Sequence, residues 1–179
     1  MTQIAVSAVG RDHPGIVAAV TGVLVAHGAN LADSQMGILS GRFTMTLIVD
    51  APDELSLDLL VADLERIGDD LGLDAIFANE IGDADADSAL PTRIVTVYGV
   101  DHPGIVHAVA LELAARGVNI TDLNTRRIED EEGDPLYAMM LEVAPPDGTD
   151  DAELAAALRR VAGEQQLEVT VRELEDDSL

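Results

Sequence analysis

The stretch "GRDHPGIVAAV" at residues 10–20 recurs as "GVDHPGIVHAV" at residues 99–109. When residues 10–39 are aligned with residues 99–128, fourteen of the 30 positions are identical, which chance does not explain. The repeat is longer than the units of solenoid proteins, so it indicates a duplicated domain rather than an array. We therefore expect the 179-residue chain to contain two small copies of one fold.

Both copies show the same order of predicted elements. A β-rich segment (3–10 or 93–100) precedes the repeated stretch, and apolar residues at helical spacing follow it. Glycine then stands where a helix C′ residue belongs, at Gly28 and Gly117. The apolar helix positions are Ile16, Val20, Val23 and Leu24 in the first copy, and Ile105, Val109 and Leu113 in the second.

The second half of each copy contains a hairpin, a helix and a short strand. Ser40-Gly41 predicts a hairpin turn, and the segment 129–134 ("EDEEGD") predicts its solvated counterpart in the second copy. Closing strands are expected near 73–81 and 167–174. The second helices carry Leu57, Leu60, Leu64, Ile67 and Leu71 in one copy, and Leu154, Leu158 and Val161 in the other.

The order β-α-β-β-α-β, present twice, predicts an α+β fold. Each copy is expected to be a ferredoxin-like domain, a four-stranded antiparallel sheet with two helices on one face. The segment "GDADADSALP" has few large apolar residues and ends in proline. We therefore expect one domain over 1–82, a linker over 83–91 and a second domain over 92–179.

Composition excludes several classes of function. The formal net charge is −24 and all ten basic residues are arginine, so neither nucleic acid nor an anionic membrane is an expected partner. There is no cysteine and no apolar run long enough to cross a membrane, and no secretory signal is evident in the first residues. We expect a cytoplasmic protein without a metal or cofactor.

The repeated loop, at the turn from strand to helix, suits the binding of a small carboxylate. A helix N-terminus presents free N–H groups and partial positive charge. Either Asp12 or His13 is expected to be the N-cap, and Gly15 allows close approach of a ligand. Asn30, at the start of the next strand, offers both a donor and an acceptor. The second copy offers Asp101, His102, Gly104 and Asn119.

Purely structural interpretations of these residues remain open. The aspartates can serve only as helix caps, the glycines only for tight packing, and the asparagines only in a turn. The histidines can be exposed loop residues, or titrating groups if the two loops meet. A metal shared by the histidines and aspartates is a further alternative, although the spacing matches no known ligand motif. The copies also differ, since Arg11 aligns with Val100 and Ala18 with His107.

The segments "DHPGIVAAVTGVLVAHGANLADS" and "DHPGIVHAVALELAARGVNITD" resemble the ACT domain family over nearly the whole chain. A tandem pair is most similar to the glycine cleavage system transcriptional repressor group. The resemblance implies that domains pair side by side and that an amino acid lies at their interface, near the Pro-Gly loop. It assigns ligand binding to Asp12, His13, Gly15 and Asn30, and to Asp101, His102, Gly104 and Asn119.

Three classes of function follow. The preferred hypothesis is a non-catalytic regulator that senses a free amino acid, forms a homodimer and acts on a protein partner, with glycine or one-carbon metabolism as the implied context. The alternative is a ligand-free module that assembles through its sheet edges. Catalysis is disfavoured, because no nucleophile elbow or P-loop is present and the two copies use nearly all of the chain. Arg42, Arg126 and Arg127 can contact acidic partners, although we expect them to offset surface acidity; the acidic end 173–179 is expected to be solvated.

Overall fold

The computed structural model describes residues 2–82, 90–129 and 135–174. The chain divides into two units, Met1–Asp85 and Ala86–Leu179. Most of the predicted linker, most of the predicted acidic hairpin tip and most of the acidic end lie outside the described residues. Within the described part, no helix is long and apolar enough to cross a membrane.

The two units contain the same six elements in the same order. Both sheets are antiparallel, with strand orders β2-β3-β1-β4 and β6-β7-β5-β8, as the ferredoxin-like prediction requires. The first unit contains β1 (Thr2–Arg11), α1 (Ile16–Ala26), β2 (Asn30–Leu39), β3 (Arg42–Ala51), α2 (Leu57–Leu71) and β4 (Leu73–Ile81). The second contains β5 (Arg93–Val100), α3 (Ile105–Ala115), β6 (Asn119–Ile128), β7 (Leu136–Ala144), α4 (Asp151–Glu164) and β8 (Leu167–Glu173).

The core of each unit lies between the helices and one face of the sheet. Along β1, alternate residues are buried, as the two-residue period of a strand requires. The buried helix positions are those that the apolar spacing predicts, including Ile16, Val20 and Leu24 on α1 and Leu154, Leu158 and Val161 on α4. Aliphatic side chains fill this space almost alone, with Phe43 the one aromatic residue among the buried core of the described part.

The predicted turns are confirmed. Ser40 and Gly41 have φ angles of 50° and 77°, the pair of positive values that a tight two-residue hairpin between twisted strands requires. Gly28 and Gly117 have φ angles of 70° and 69° directly after the ends of α1 and α3. The left-handed conformation that ends these helices is therefore one that glycine adopts without strain.

One close approach between strands depends on glycine. A Cβ atom on Gly10 would lie 2.9 Å from the Cα atom of Leu73, and one on Gly99 would lie 2.5 Å from a methyl carbon of Leu167. These contacts join the end of the first strand to the start of the fourth in each unit. Glycine at both positions therefore allows the closing strand to lie against the strand that precedes the Pro-Gly loop.

Substitution of Gly10 tests this packing. Gly10→Ala should lower the free energy of unfolding by about 1–3 kcal/mol, because the added methyl group meets backbone that cannot move aside freely. Gly22→Ala is the matched control: nothing lies within 4 Å of its Cβ position on the exposed side of α1. That substitution should raise stability by about 0.5–1 kcal/mol. Urea unfolding measures both, and equal effects of the two substitutions would contradict the packing argument.

Candidate functional site

The repeated Pro-Gly loop joins the first strand of each unit to its first helix. The N-cap residues are Gly15, with a φ angle of 103°, and Gly104, with a φ angle of 99°. The expectation that Asp12 or His13 caps the helix is wrong. Because of the Pro-Gly turn, the helix begins only at Ile16. The N-cap position of this helix has a φ angle that favours glycine.

No side chain caps either of these helix starts. By contrast, the carboxylate of Asp150 accepts hydrogen bonds from the backbone N–H groups of Ala152 (2.8 Å) and Glu153 (3.2 Å) at the start of α4. In α1 the first helical bond runs from the N–H of Ala19 to the carbonyl of Gly15, at 2.9 Å. The three preceding helical N–H groups therefore have no acceptor within the helix.

The open helix starts are accessible to a ligand. Gly15, Val17 and Ala18 are exposed, and nothing lies within 4 Å of the Cβ position of Gly15 or Gly104. The partial positive charge at the N-terminus of a helix favours a bound anion. Each Pro-Gly loop thus leaves the first N–H groups of its helix without a side-chain cap.

The repeated histidine connects the loop to the end of the second helix. In the first unit, Nε2 of His13 lies 2.9 Å from the carbonyl oxygen of Leu71, and Nδ1 lies 3.0 Å from that of Pro14. His102 makes the same two contacts, with the carbonyl oxygens of Gln165 (3.0 Å) and Pro103 (3.2 Å). The carbonyl groups at a helix end need donors, so the histidine supplies one across the fold. No local sequence pattern indicates this role of the histidine.

These contacts favour the protonated form of His13. A neutral imidazole has one N–H group, whereas both ring nitrogens of His13 face carbonyl oxygens, which accept hydrogen bonds. The hydrogen bond to the Leu71 carbonyl, followed by that to Pro14, raises the pKa of His13 above the ordinary value. Neither nitrogen is directed at a metal site, and no cluster of three potential metal-ligating side chains occurs among the residues that the structure describes.

The two aspartates have different surroundings. In the second unit, a carboxylate oxygen of Asp101 lies 3.4 Å from Nε of Arg127, and its backbone N–H donates to the Pro135 carbonyl at 2.8 Å. Asp12 is exposed and makes no such ion pair within residues 2–82. The position that corresponds to Arg127 holds Ile38. The carboxylate of the first loop is therefore more available to a ligand than that of the second.

The predicted asparagines lie at the other end of their sheets. Asn30 pairs with Asp50, which pairs with Gln3 on β1, whereas Asp12 follows the far end of the same strand. About eight residues of strand separate these ends, or roughly 26 Å. Asn119 has the same position, opposite Ala144 at the end of β7. Asp12, His13 and Gly15 thus lie together, and the structure does not bring Asn30 to them within one unit.

Comparison with known proteins assigns both halves of the chain to the same family. Family models of the ACT domain match residues 2–78 and 93–163. A UPF0237 protein of Methanopyrus kandleri is 37% identical over 81 residues, which cover 45% of this chain and 90% of that protein. Phosphoserine phosphatase SerB2 of Mycobacterium tuberculosis is 31% identical over 181 residues, but these span 96% of this chain and only 41% of the phosphatase.

Among the similar solved structures, two cover nearly all of the chain with a TM-score of 0.69 or more. A protein of unknown function from Galdieria sulphuraria is 29% identical, with a TM-score of 0.76, and the match covers 97% of this chain and 98% of that one. A protein provisionally described as a glycine cleavage system transcriptional repressor has a TM-score of 0.69 over 98% of both chains. Its identity is 16%, so this likeness concerns the fold.

The histidine contact predicts a specific dependence of stability on pH. Because folding raises the pKa of His13, its stabilising contribution should be fully present below the pKa of the unfolded chain and lost as pH rises through the folded pKa. The difference in unfolding free energy between the wild type and His13→Asn should therefore shrink from pH 5.5 to pH 8.5. Urea unfolding across this range measures it, and a difference that grows with pH would contradict the contact. An NMR titration of the His13 ring, assigned by its absence in the variant, checks the direction of the pKa.

Proposed function

Because the chain belongs to the ACT domain family, with one such domain in each unit, we propose that it is a regulatory protein that senses a free amino acid. The observation that carries this proposal is the open start of the first helix, which recurs in both units. A repeated loop that served only to start a helix would gain stability from a side-chain cap, as Asp150 provides for α4. Here that position is held by glycine, and the backbone donors stay available for the carboxylate of an amino acid.

The ammonium group of a bound amino acid needs a hydrogen-bond acceptor, and the side chain of that amino acid needs surrounding residues that limit its size. In the proposed site, Asp12 supplies a carboxylate beside the open helix start and Asn30 supplies an amide from a second ACT domain. The separation of roughly 26 Å along one sheet supports this division, because a single domain cannot place both groups on one small molecule. The two domains of a pair would be arranged antiparallel, so that the Pro-Gly loop of one domain lies beside the asparagine of the other. His102, Asp101, Gly104 and Asn119 form the corresponding set.

Exposed apolar residues support pairing through the first helix and the edge strand. On α1, Val17 and Val25 are 41% and 74% exposed. The edge strand β2 exposes Met36, Ile38 and Leu39 in addition. An edge strand with unpaired backbone groups is a template for association with another sheet. We propose a homodimer, in which such pairing completes the ligand sites.

The proposed output is a change in contact with a protein partner, since ligand binding can bias domain packing only by differential affinity. We propose a non-catalytic role in the cytoplasm, in the regulation of glycine or one-carbon metabolism. The likeness to part of a phosphoserine phosphatase makes serine a second ligand to test beside glycine. The competing interpretation is a module that uses the same exposed strands for assembly and binds no ligand.

Thermal unfolding with a panel of free amino acids separates these interpretations. A ligand at about 100 times its Kd should add about 2.7 kcal/mol of stability, with glycine and serine tested first. Asn30→Ala and Asn119→Ala together should reduce this effect, whereas Asn79→Ala, an exposed asparagine on β4, should leave it unchanged. No shift with any amino acid at millimolar concentration would exclude the sensing function and leave the assembly module.

Sedimentation velocity tests the pairing surface. The wild type should sediment at twice the 18.8 kDa mass of the chain. Val25→Glu should increase the monomer fraction, because it places a charge on the apolar face of α1. Leu59→Glu is the control, since Leu59 is 63% exposed but belongs to α2, which is not part of the proposed surface. Equal behaviour of the two variants would show that α1 does not take part in dimerisation.

A further inference from the structure

A second polar feature lies at the loop end of the first unit and is separate from the open helix start. It is a cleft of about 540 Å³ between the end of β1, the β2–β3 hairpin and the junction of α2 with β4. Its lining includes Arg11, His13, Gly41, Arg42, Gly72 and Asp74. Asp74 is the one carboxylate among the described residues that line it, so the cleft is cationic within a chain of net charge −24.

Two arginines in this cleft oppose each other directly. Arg11 on β1 and Arg42 on β3 are partners in the antiparallel register, so their side chains project from the same face of the sheet. Like charges at such a position are destabilising. Arg42 is offset by an ion pair with Asp74, whereas Arg11 makes no ion pair with any residue that the structure describes.

The second unit shows that the fold does not require these charges. The residues at the same register positions are Val100 and Leu136, and Glu168 takes the place of Asp74. His102 nevertheless makes the same contact with the end of α4 that His13 makes with the end of α2. The unit thus keeps its loop, register and histidine contact with an apolar pair. The arginine pair of the first unit therefore calls for an explanation other than folding.

We propose that this cleft is a binding site for a small oxyanion, in which Arg11 and Arg42 hold a carboxylate or phosphoryl group of a soluble molecule. A guanidinium group donates two parallel hydrogen bonds to such a group, and two guanidinium groups at adjacent strand positions form a wider fork. The anion neutralises Arg11 and relieves the repulsion across the strand pair. Gly41 and Gly72 line the cleft without placing a side chain in it. Among the described residues the arginine pair occurs in the first unit alone, and neither arginine belongs to the proposed amino-acid site.

Isothermal titration calorimetry at constant ionic strength and pH 7 tests this site, with inorganic phosphate and succinate as separate probes. Arg11→Val and Arg42→Leu introduce the residues that the second unit carries at these positions, so both variants should fold. Arg159→Ala removes an exposed arginine of α4 and is the matched control. The wild type and the control should show saturable binding of one anion per chain. Arg11→Val should weaken it by roughly tenfold or more, the loss expected for one charge-assisted bidentate contact.

Stability measurements separate a binding site from a general effect of salt. Without phosphate or succinate, Arg11→Val should unfold at the same or a higher temperature than the wild type, because the like-charge pair is gone. Saturating phosphate or succinate should raise the unfolding temperature of the wild type and not that of the variant. Stronger binding of phosphate identifies a phosphoryl ligand and stronger binding of succinate a carboxylate. Binding that does not saturate, or an affinity for both probes that Arg11→Val leaves equal to that of Arg159→Ala, would overturn the proposal.

Discussion

The contact between the loop histidine and the last carbonyl groups of the second helix organises the end of each unit that carries the chemistry. It joins residues 58 positions apart in the first unit and 63 positions apart in the second. The histidine fixes the loop against the helix end, and glycine at Gly10 and Gly99 lets the closing strand lie beside the strand that leads into the loop. Because the histidine contact holds the loop in place, the start of the first helix can remain exposed without a side-chain cap. The open donors of the candidate site therefore depend on a contact made on the other side of the loop.

The duplication acts as an internal comparison between folding and function. The features that both units share are the positive φ angles of Gly15 and Gly104, the histidine contacts and the bulge just after the start of the second strand. Among the described residues, the features that differ are charged. Asp101 pairs with Arg127, whereas Ile38 stands at the corresponding position of the first unit, and the opposed arginines of the first unit are replaced by Val100 and Leu136 in the second. Requirements of the fold explain the histidine contacts and the bulge, whereas the two glycines also leave the helix starts without a side-chain cap. These charged differences can give the two units different binding properties.

Much of the fold, and less of the site, could be predicted from the sequence. Strand alternation, helical spacing and the turns at Ser40-Gly41, Gly28 and Gly117 are local signals, and the structure confirms them. The N-cap prediction was wrong because an aspartate ahead of a Pro-Gly pair looks like a cap, although the turn moves the helix start beyond its reach. The partner of His13 and the pairing of Arg11 with Arg42 depend on tertiary contact and strand register, which no local pattern encodes. The repeat identifies Gly10 in the sequence, but the requirement for glycine there becomes evident only from the contact with Leu73 in the structure.

The position of the candidate groups at opposite ends of the sheet has a thermodynamic consequence for the proposed sensor. A ligand that contacts the helix start of one domain and the asparagine of another stabilises the paired arrangement by its own binding free energy. By reciprocity, an interaction that favours pairing raises the affinity for the ligand by the same factor. Sensing and assembly are then one equilibrium, and a protein partner that competes for the edge strand would lower the affinity for the amino acid without touching its site. The division of the site between two ends of one fold thus provides a means of coupling metabolite concentration to protein contact that requires no change within either domain.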